Sequence, residues 1–263
     1  MTKFDAATAV RRVADGRYQA DLDGDFAFAD ALNGGYLMAV LLRAAVDASP
    51  HPHPIATREN YLRVATPGPA EIIVEPRKTG RTVATSRVTL LQDGKPAVDL
   101  QVTTGTLDPD APIDWAAEPA QRLPPVEDCV KFDSGRRSGP VFADQVDMRF
   151  APALMGWLDG KPSGRLEAGA YFRLPDGTDA DPFVLAMAVD ALPPVALNAG
   201  GKGWAPTVEL TWHLRALPAP GWLELIGGGR LLSDGWFDEE VEVFDSTGKL
   251  VAQSRQIARL GQK

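Results

Sequence analysis

Cysteine and histidine are scarce in this chain of 263 residues. Cys129 is the single cysteine, and two of the three histidines lie in the proline-rich segment Ser49–Pro54. A lone cysteine can form no internal disulfide, and the chain has no His-Glu-x-x-His motif. The sequence therefore offers no convincing zinc site, and we expect neither a metal nor another cofactor.

Excess positive charge and long apolar runs are also lacking. The formal net charge is −8, which argues against nucleic-acid binding. No run of 18 apolar residues occurs, and Met1–Gly16 has no apolar core of a signal peptide. We therefore expect no membrane association and a cytoplasmic location. The length suffices for one large domain or two small ones.

One apolar segment near the N-terminus predicts a long helix. Within Ala31–Asp47, a polar, glycine-rich start at Asn33-Gly34-Gly35 precedes an Ala- and Leu-rich run. Glycines at such a position allow a ligand to approach the backbone N–H groups of the helix start.

A second apolar segment, Pro182–Leu197, predicts a helix that contains one acid. Asp181 suits a helix cap, and Pro182 suits the first helical position. The two prolines at 193 and 194 should break or kink the helix just after Asp190. Asp190 is then an acid inside, or at the edge of, an apolar helix that we expect to pack on a sheet. A purely structural role, capping N–H groups near the proline break, is equally compatible with this segment.

Alternating or β-branched segments bounded by turn signals predict eleven strands. They are Arg17–Asp23, Thr57–Ala65, Ala70–Arg77, Thr82–Leu91, Ala97–Leu107, Gln145–Phe150, Arg165–Arg173, Thr207–Arg215, Trp222–Leu231, Gly235–Phe244 and Leu250–Leu260.

The order of these elements occurs twice. Ala56–Arg63 resembles Pro206–Arg215, and Gly94-Lys95 resembles Gly248-Lys249, both at an offset of about 150 residues. We interpret the chain as α+β, with two repeats of a long helix wrapped by a curled antiparallel sheet and paired edge to edge. The expected domains are residues 1–107 and 129–263, with a Pro-rich linker over 108–128. Chance similarity between two halves of one fold class is the alternative.

Four segments together resemble the type II (TesB-like) acyl-CoA thioesterases and the wider thioesterase-like superfamily. They are Asn33-Gly34-Gly35-Tyr36 before an Ala/Leu helix, Asp190–Leu197, Thr207–His213 and Gly248–Gln256. The resemblance spans nearly the whole chain and implies the double hotdog fold.

The resemblance also implies a site. In that family an Asp, a Ser or Thr, and a Gln hold the hydrolytic water, and these types fall on Asp190, Thr207 and Gln256. Thr211 is a less suitable substitute for Thr207. By analogy with hotdog enzymes, Gly34 and Gly35 are candidate oxyanion donors. The chain departs from the family in its loop 198–206, which looks shorter and should border the acyl site.

The resulting prediction is an acyl-CoA thioesterase that converts fatty acyl-CoA to free acid and CoA by a directly activated water. We expect a homo-oligomer, most simply a dimer. A non-catalytic acyl or acyl-CoA binding protein on the same fold is the alternative. An enoyl-CoA hydratase-like enzyme is the third candidate and would require an Asp–His pair that His213 would have to supply.

Overall fold

A computed structural model describes residues 1–28, 30–117, 122–132 and 141–261. The described chain consists mainly of β-strands. Its α-helices are α1 (Lys3–Ala7), α2 (Gly34–Asp47) and α3 (Pro182–Ala188). The strands of the first half are β1 (Arg11–Ala14), β2 (Arg17–Leu22), β3 (Ala27–Phe28), β4 (Ala31–Leu32), β5 (His53–Tyr61), β6 (Gly68–Thr79), β7 (Val83–Gln92) and β8 (Lys95–Gly105). Those of the second half are β9 (Val130–Lys131), β10 (Asp147–Phe150), β11 (Glu167–Arg173), β12 (Thr207–Leu214), β13 (Leu223–Gly228), β14 (Leu232–Ser233), β15 (Trp236–Phe244) and β16 (Leu250–Arg259).

All eleven predicted strands overlap observed ones. The sequence analysis missed β1, β3, β4, β9 and β14, of which four are only two residues long and β1 is solvent-exposed along its length. Such segments carry too few buried positions to show an apolar period.

One large antiparallel sheet runs through both halves. Its strand order is β1-β2-β6-β7-β8-β5-β12-β16-β15-β13-β11-β10-β9, with β14 paired to β15, while β3 and β4 form a separate hairpin. The halves meet where β5 pairs with β12. This junction confirms the predicted edge-to-edge pairing, which leaves neither half with an open strand edge there.

Helix α2 is apolar because it is covered on nearly all sides. Asn33 caps it by accepting a hydrogen bond from the Tyr36 N–H at 2.8 Å. The helix packs on β5 to β8 and on α3, and ten of its fourteen residues are buried. Helix α3 in turn contacts β12 and β16, so both helices lie against the same sheet.

The expectation of a long helix in each half is met only in the first half. Asp181 caps α3 as predicted, accepting from the Phe183 and Val184 N–H groups at 2.9 and 2.8 Å. The helix nevertheless ends at Ala188 after seven residues. Pro193 has no N–H to continue the hydrogen-bond ladder and disfavours helical geometry in the residue before it. Asp190 therefore lies in the turn that follows the helix.

The predicted linker contains no strand in its described part, and residues 118–121 lie outside the described residues. The C-terminal part of this linker is bound to the second half of the chain. Arg122 and the Leu123 N–H both bind the Glu224 carboxylate on β13, at 2.6 and 2.7 Å. Of the segment 129–143 that follows, residues 133–140 also lie outside the described part. No helix among the described residues is long and apolar enough to cross a membrane.

Candidate active site

A cavity of about 580 Å³ lies at the junction of the two halves. Most of its wall is apolar and aromatic, and a small polar region contains Asp190, Thr207 and Gln256. The apolar residues include Phe28, Leu37, Phe132, Phe142, Met148, Phe150, Trp157, Leu192, Leu197, Trp204 and Phe237. All three residues of the predicted triad thus border one space.

The Asp190 carboxylate is held at the N-terminal end of α2. Its Oδ2 accepts hydrogen bonds from the Gly35 N–H at 2.9 Å and from Asn33 Nδ2 at 3.1 Å. Asn33 Nδ2 also donates to the Asp190 backbone carbonyl at 2.8 Å. One asparagine therefore caps α2 and fixes the turn after α3, which joins a residue of the first half to the acid of the second.

This environment leaves the Asp190 pKa near 6. Burial against apolar groups raises it from the ordinary 3.8, while hydrogen bonds from Gly35, Gly34 and Asn33 lower it in part. The carboxylate remains available as a base near neutral pH, and a base with a pKa close to the working pH is the more effective proton acceptor.

Glycine is required at both positions of the α2 start. A Cβ on Gly35 would lie 2.8 Å from the carbonyl oxygens of Ala186 and Met187, and one on Gly34 would lie 2.6 Å from the Tyr61 hydroxyl. The two helices and the acid can approach this closely only because no side chain intervenes.

Those glycine N–H groups already have an acceptor. The Gly35 N–H binds Asp190, and the Gly34 N–H contributes to the same carboxylate. The predicted oxyanion role of Gly34 and Gly35 remains a prediction, and this geometry favours anchoring of Asp190 over that role.

Thr207 and Gln256 form a chain of hydrogen bonds with a third residue. Thr207 Oγ1 donates to Gln256 Oε1 at 2.6 Å, and Gln256 Nε2 donates to Glu239 Oε1 at 3.2 Å. Glu239 Oε2 accepts from the Val195 N–H at 2.8 Å. This chain fixes the orientation of the Gln256 amide, because its oxygen must face Thr207 and its nitrogen Glu239.

A β-bulge brings Thr207 onto the cavity side of the sheet. The pairing of β12 with β16 skips Val208: Thr207 lies opposite Ala258, whereas Glu209 lies opposite Ile257. In a regular strand, Thr207 would share the outer face with Glu209, Thr211 and His213. Thr211 donates to Glu209 on that outer face and does not line the cavity, so it is no substitute for Thr207.

A second buried acid lies in the first half. Glu59 on β5 is fully buried and accepts a hydrogen bond from the Tyr61 hydroxyl at 2.8 Å. Burial raises the pKa of Glu59 well above its ordinary value, and the nearby Asp190 charge acts in the same direction. Burial likewise raises the pKa of Tyr61.

Sequence reasoning did not identify Glu59, Tyr61 or Glu239. The register reveals the two acids: Glu59, Leu210, Gln256 and Glu239 lie opposite one another in a row across β5, β12, β16 and β15. Tyr61 lies two residues after Glu59 in β5 and therefore on the same face of the sheet. Each acid follows or precedes other charged residues in its strand, so nothing in the local sequence marks it as inward-facing.

Metal ligation is not supported by the part of the chain described above. It contains no cluster of three or more His, Cys, Asp or Glu side chains that could hold an ion. The polar groups of the described residues that line the cavity include carboxyls, hydroxyls, amides and the guanidinium of Arg63.

Comparisons with known proteins bear on this geometry. Residues 22–105 match the family model of the acyl-CoA thioesterase N-terminal domain, and residues 122–260 match that of the C-terminal domain. A solved structure from Thermobifida fusca YX, described as a proposed thioesterase II, is 42% identical over 100% of this chain and 98% of that one, with a TM-score of 0.92.

Two less similar proteins agree with this family in fold or in description. A hot dog fold protein of unknown function from Alicyclobacillus acidocaldarius is 21% identical, covers 100% and 99% of the two chains, and has a TM-score of 0.85. The thioesterase-like protein TwmA of Talaromyces wortmannii is 25% identical over 98% of this chain and 91% of its own length. The fold is therefore of the hotdog type, the activity is that of a thioesterase, and the chain belongs to the acyl-CoA thioesterase family that the two domain models define.

Proposed function

We propose that this thioesterase hydrolyses fatty acyl-CoA to free acid and CoA through a water activated by Asp190. The observation that carries the proposal is one cavity with an ionisable carboxylate, a hydroxyl and an amide at its polar end and an apolar, aromatic wall elsewhere. The polar end suits a thioester carbonyl and a water, and the apolar wall suits an acyl chain.

The hydrogen bonds at the polar end support specific roles for the three side chains. Asp190 accepts a proton from the water as its oxygen bonds to the thioester carbon. Thr207 gives its own proton to Gln256, so its oxygen can accept the water's second O–H. The second N–H of Gln256 Nε2 can donate to the water oxygen. The C–S bond then breaks, and the proton held by Asp190 passes to the departing thiolate. No covalent intermediate and no metal is needed.

We further propose that the chain consists of two hotdog units, residues 1–107 and 129–263, joined by 108–128. The N-terminal family model ends at residue 105, before that linker, and the C-terminal model begins at residue 122, within its last part. Each half supplies one of the helices that meet at Asp190. The loop over 198–206 supports a role in substrate selection, because Gly203, Trp204, Ala205 and Pro206 border the cavity.

A non-catalytic acyl-binding protein would need the same apolar wall but not the ionisable end. The Asp190 pKa near 6 and the fixed amide of Gln256 favour catalysis over simple binding. A hydratase is disfavoured, since His213 is exposed on the outer face of β12, and no described histidine lines the cavity.

Release of free thiol from acyl-CoAs of increasing chain length tests the proposal. We expect turnover with at least one fatty acyl-CoA, and a decline once the chain exceeds what the cavity can enclose. Binding of acyl-CoA by calorimetry, without thiol release from any member of the series, would contradict hydrolysis and support the binding protein instead.

A further inference from the structure

The geometry points to the Tyr61 hydroxyl as the donor that stabilises the oxyanion formed from the thioester carbonyl, with Glu59 as the residue that positions it. This inference rests on the proposed hydrolysis and adds a catalytic residue from the first half of the chain.

Tyr61 lies where an oxyanion would form. It lines the cavity together with Gly34 and Asp190. A Cβ built on Gly34 would be 2.6 Å from the Tyr61 hydroxyl and 2.9 Å from Asp190 Oδ2. The hydroxyl and the carboxylate oxygen are therefore separated by no more than the sum of these distances, so a thioester carbonyl attacked by a water held at Asp190 lies within reach of the Tyr61 hydroxyl.

Several other donors at this end of the cavity are already engaged, and the proposed mechanism assigns the second N–H of Gln256 to the water oxygen. The Gly35 N–H and Asn33 Nδ2 both donate to Asp190, and Thr207 donates to Gln256. Stabilisation of the tetrahedral oxyanion requires a donor aimed at the carbonyl oxygen. Tyr61 has a proton free for the carbonyl when Glu59 donates the hydrogen bond between the two side chains and the Tyr61 oxygen accepts it.

The surroundings of Glu59 favour that direction of the hydrogen bond. Its cross-strand neighbours are Leu100 and Leu210, and its Oε1 is buried with no hydrogen-bond partner in the described chain. An ionised carboxylate with an unpartnered oxygen in such a place is costly. Burial also raises the pKa of Glu59 well above its ordinary value, which acts in the same direction and favours the neutral acid.

A neutral Glu59 has one O–H to donate. If Oε2 carries it, the acid donates to the Tyr61 oxygen over the same 2.8 Å contact. The Tyr61 proton then faces the cavity, and the acid that holds it also makes it a stronger donor. No proton changes hands: as the carbonyl oxygen gains charge, the Tyr61 O–H bond to it strengthens, and it weakens again when the C–S bond breaks.

Tyr61→Phe tests the donor directly. We expect kcat to fall about 10²–10³-fold with KM nearly unchanged, the usual effect of removing one oxyanion donor. Tyr18→Phe is the matched control, since it removes a tyrosine hydroxyl that donates to Asp47 away from the cavity; its turnover should equal that of the wild type. Thermal denaturation of both variants separates loss of fold from loss of chemistry.

Binding of two CoA analogues gives a readout that a merely structural role would not change. A trifluoromethyl ketone forms a tetrahedral adduct with water, whereas a thioether analogue cannot. Tyr61→Phe should weaken the ketone at least tenfold and leave the thioether unaffected. Equal loss for both analogues, or wild-type kcat in Tyr61→Phe, would overturn the inference while leaving the hydrolysis itself intact.

Glu59→Gln tests the direction of the bond. Its amide nitrogen can donate to the Tyr61 oxygen as the neutral acid does, so we expect it to restore most of the kcat that Glu59→Leu, which has no such donor, loses. A loss as large as that of Tyr61→Phe would show that Glu59 acts as an anion, contrary to this assignment. Absence of hydrolysis in the unmutated protein would overturn the proposed function and, with it, the role of Tyr61.

Discussion

Asp190 has both a structural role at the start of α2 and a proposed catalytic role as the base. Hydrogen bonds from the start of α2 hold its carboxylate in place, while burial raises its pKa to about 6. The same contacts would satisfy a purely structural cap, so position alone does not separate the two roles. A substitution that removes the charge of Asp190 without changing its shape does separate them.

Asp190→Asn keeps an oxygen that can accept from Gly35 and Asn33 but cannot take a proton from water. We expect kcat to fall about 10²–10⁴-fold, the range typical of a positioned general base. KM should change little, because the apolar wall is untouched. The measurement is steady-state thiol release, with Asp99→Asn, an ion-paired acid on the outer face of the sheet, as the control.

The wild-type pH profile gives an independent check on that assignment. The base must be ionised, so kcat/KM should rise with pH and level off above a pKa of about 6. Full activity of Asp190→Asn, or a flat profile from pH 5 to 8 in the wild type, would show that Asp190 only caps α2.

The sequence predicted those site residues that lie in recognisable motifs. Asp190, Thr207 and Gln256 lie in segments that resemble a known family, and they do border one cavity. Glu59 and Glu239 each adjoin another charged residue in their strand, so only the strand register indicates which acids face inward.

At the scale of elements, the strands were predictable because turn signals and alternation bound them. The irregularities of these elements, a bulge in β12 and the early end of α3, were not predictable. The residues around Val208 form an ordinary β-rich run, so the bulge that turns Thr207 inward follows only from the pairing with β16. The early end of α3 was likewise hidden, because the apolar run continues past Ala188.

Deletion of Val208 should abolish the bulge. Thr207 would then adjoin Glu209 directly and still lie opposite Ala258 on the cavity side, so its hydrogen bond to Gln256 at 2.6 Å should persist. We expect kcat to stay well above that of Thr207→Val, which removes the hydroxyl, and the sheet should still form, since a regular antiparallel pair replaces the bulge. Thiol release and circular dichroism measure the two effects.

Val208→Ala serves as the control because it retains the extra residue and changes only a side chain that is 40% exposed. This variant should keep wild-type turnover. A deletion variant as impaired as Thr207→Val, beside a fully active Val208→Ala, would show that catalysis needs the bulge itself and not only the inward position of Thr207.

At the scale of the whole molecule, the site depends on both halves. Asn33, Gly35, Glu59 and Tyr61 come from the first, and the triad comes from the second. The internal repeat predicted that the halves meet edge to edge, and β5 and β12 do so. It could not predict that a row of residues across this junction would bury two acids. The expected homodimer and cytoplasmic location remain predictions.

The buried acids should make the stability of the molecule depend on pH. Burial raises the pKa of Glu239 from 4.5 to about 8, that of Asp190 from 3.8 to about 6, and that of Glu59 well above its ordinary value. The folded state therefore binds these protons more tightly than the unfolded chain does. This contribution is complete below about pH 4 and is lost as the pH rises through the folded-state pKa values.

We therefore expect the free energy of unfolding to decrease from pH 5 to pH 8, by up to about 1.4 kcal/mol per pH unit for each acid that titrates only in the unfolded chain. Glu239→Gln carries no charge at any pH, so its urea-denaturation midpoint should fall less steeply over this range, whatever its absolute stability. Glu240→Gln changes the next residue, whose side chain is 39% exposed on the outer face of β15, and should retain the wild-type slope. Two results would contradict this expectation: equal stability of the wild type at pH 5 and pH 8, or a wild-type pH dependence of the denaturation midpoint in Glu239→Gln. Either result would mean that Glu239 is ionised in the folded protein. The orientation of the Gln256 amide must then be maintained by an anion throughout the working pH range.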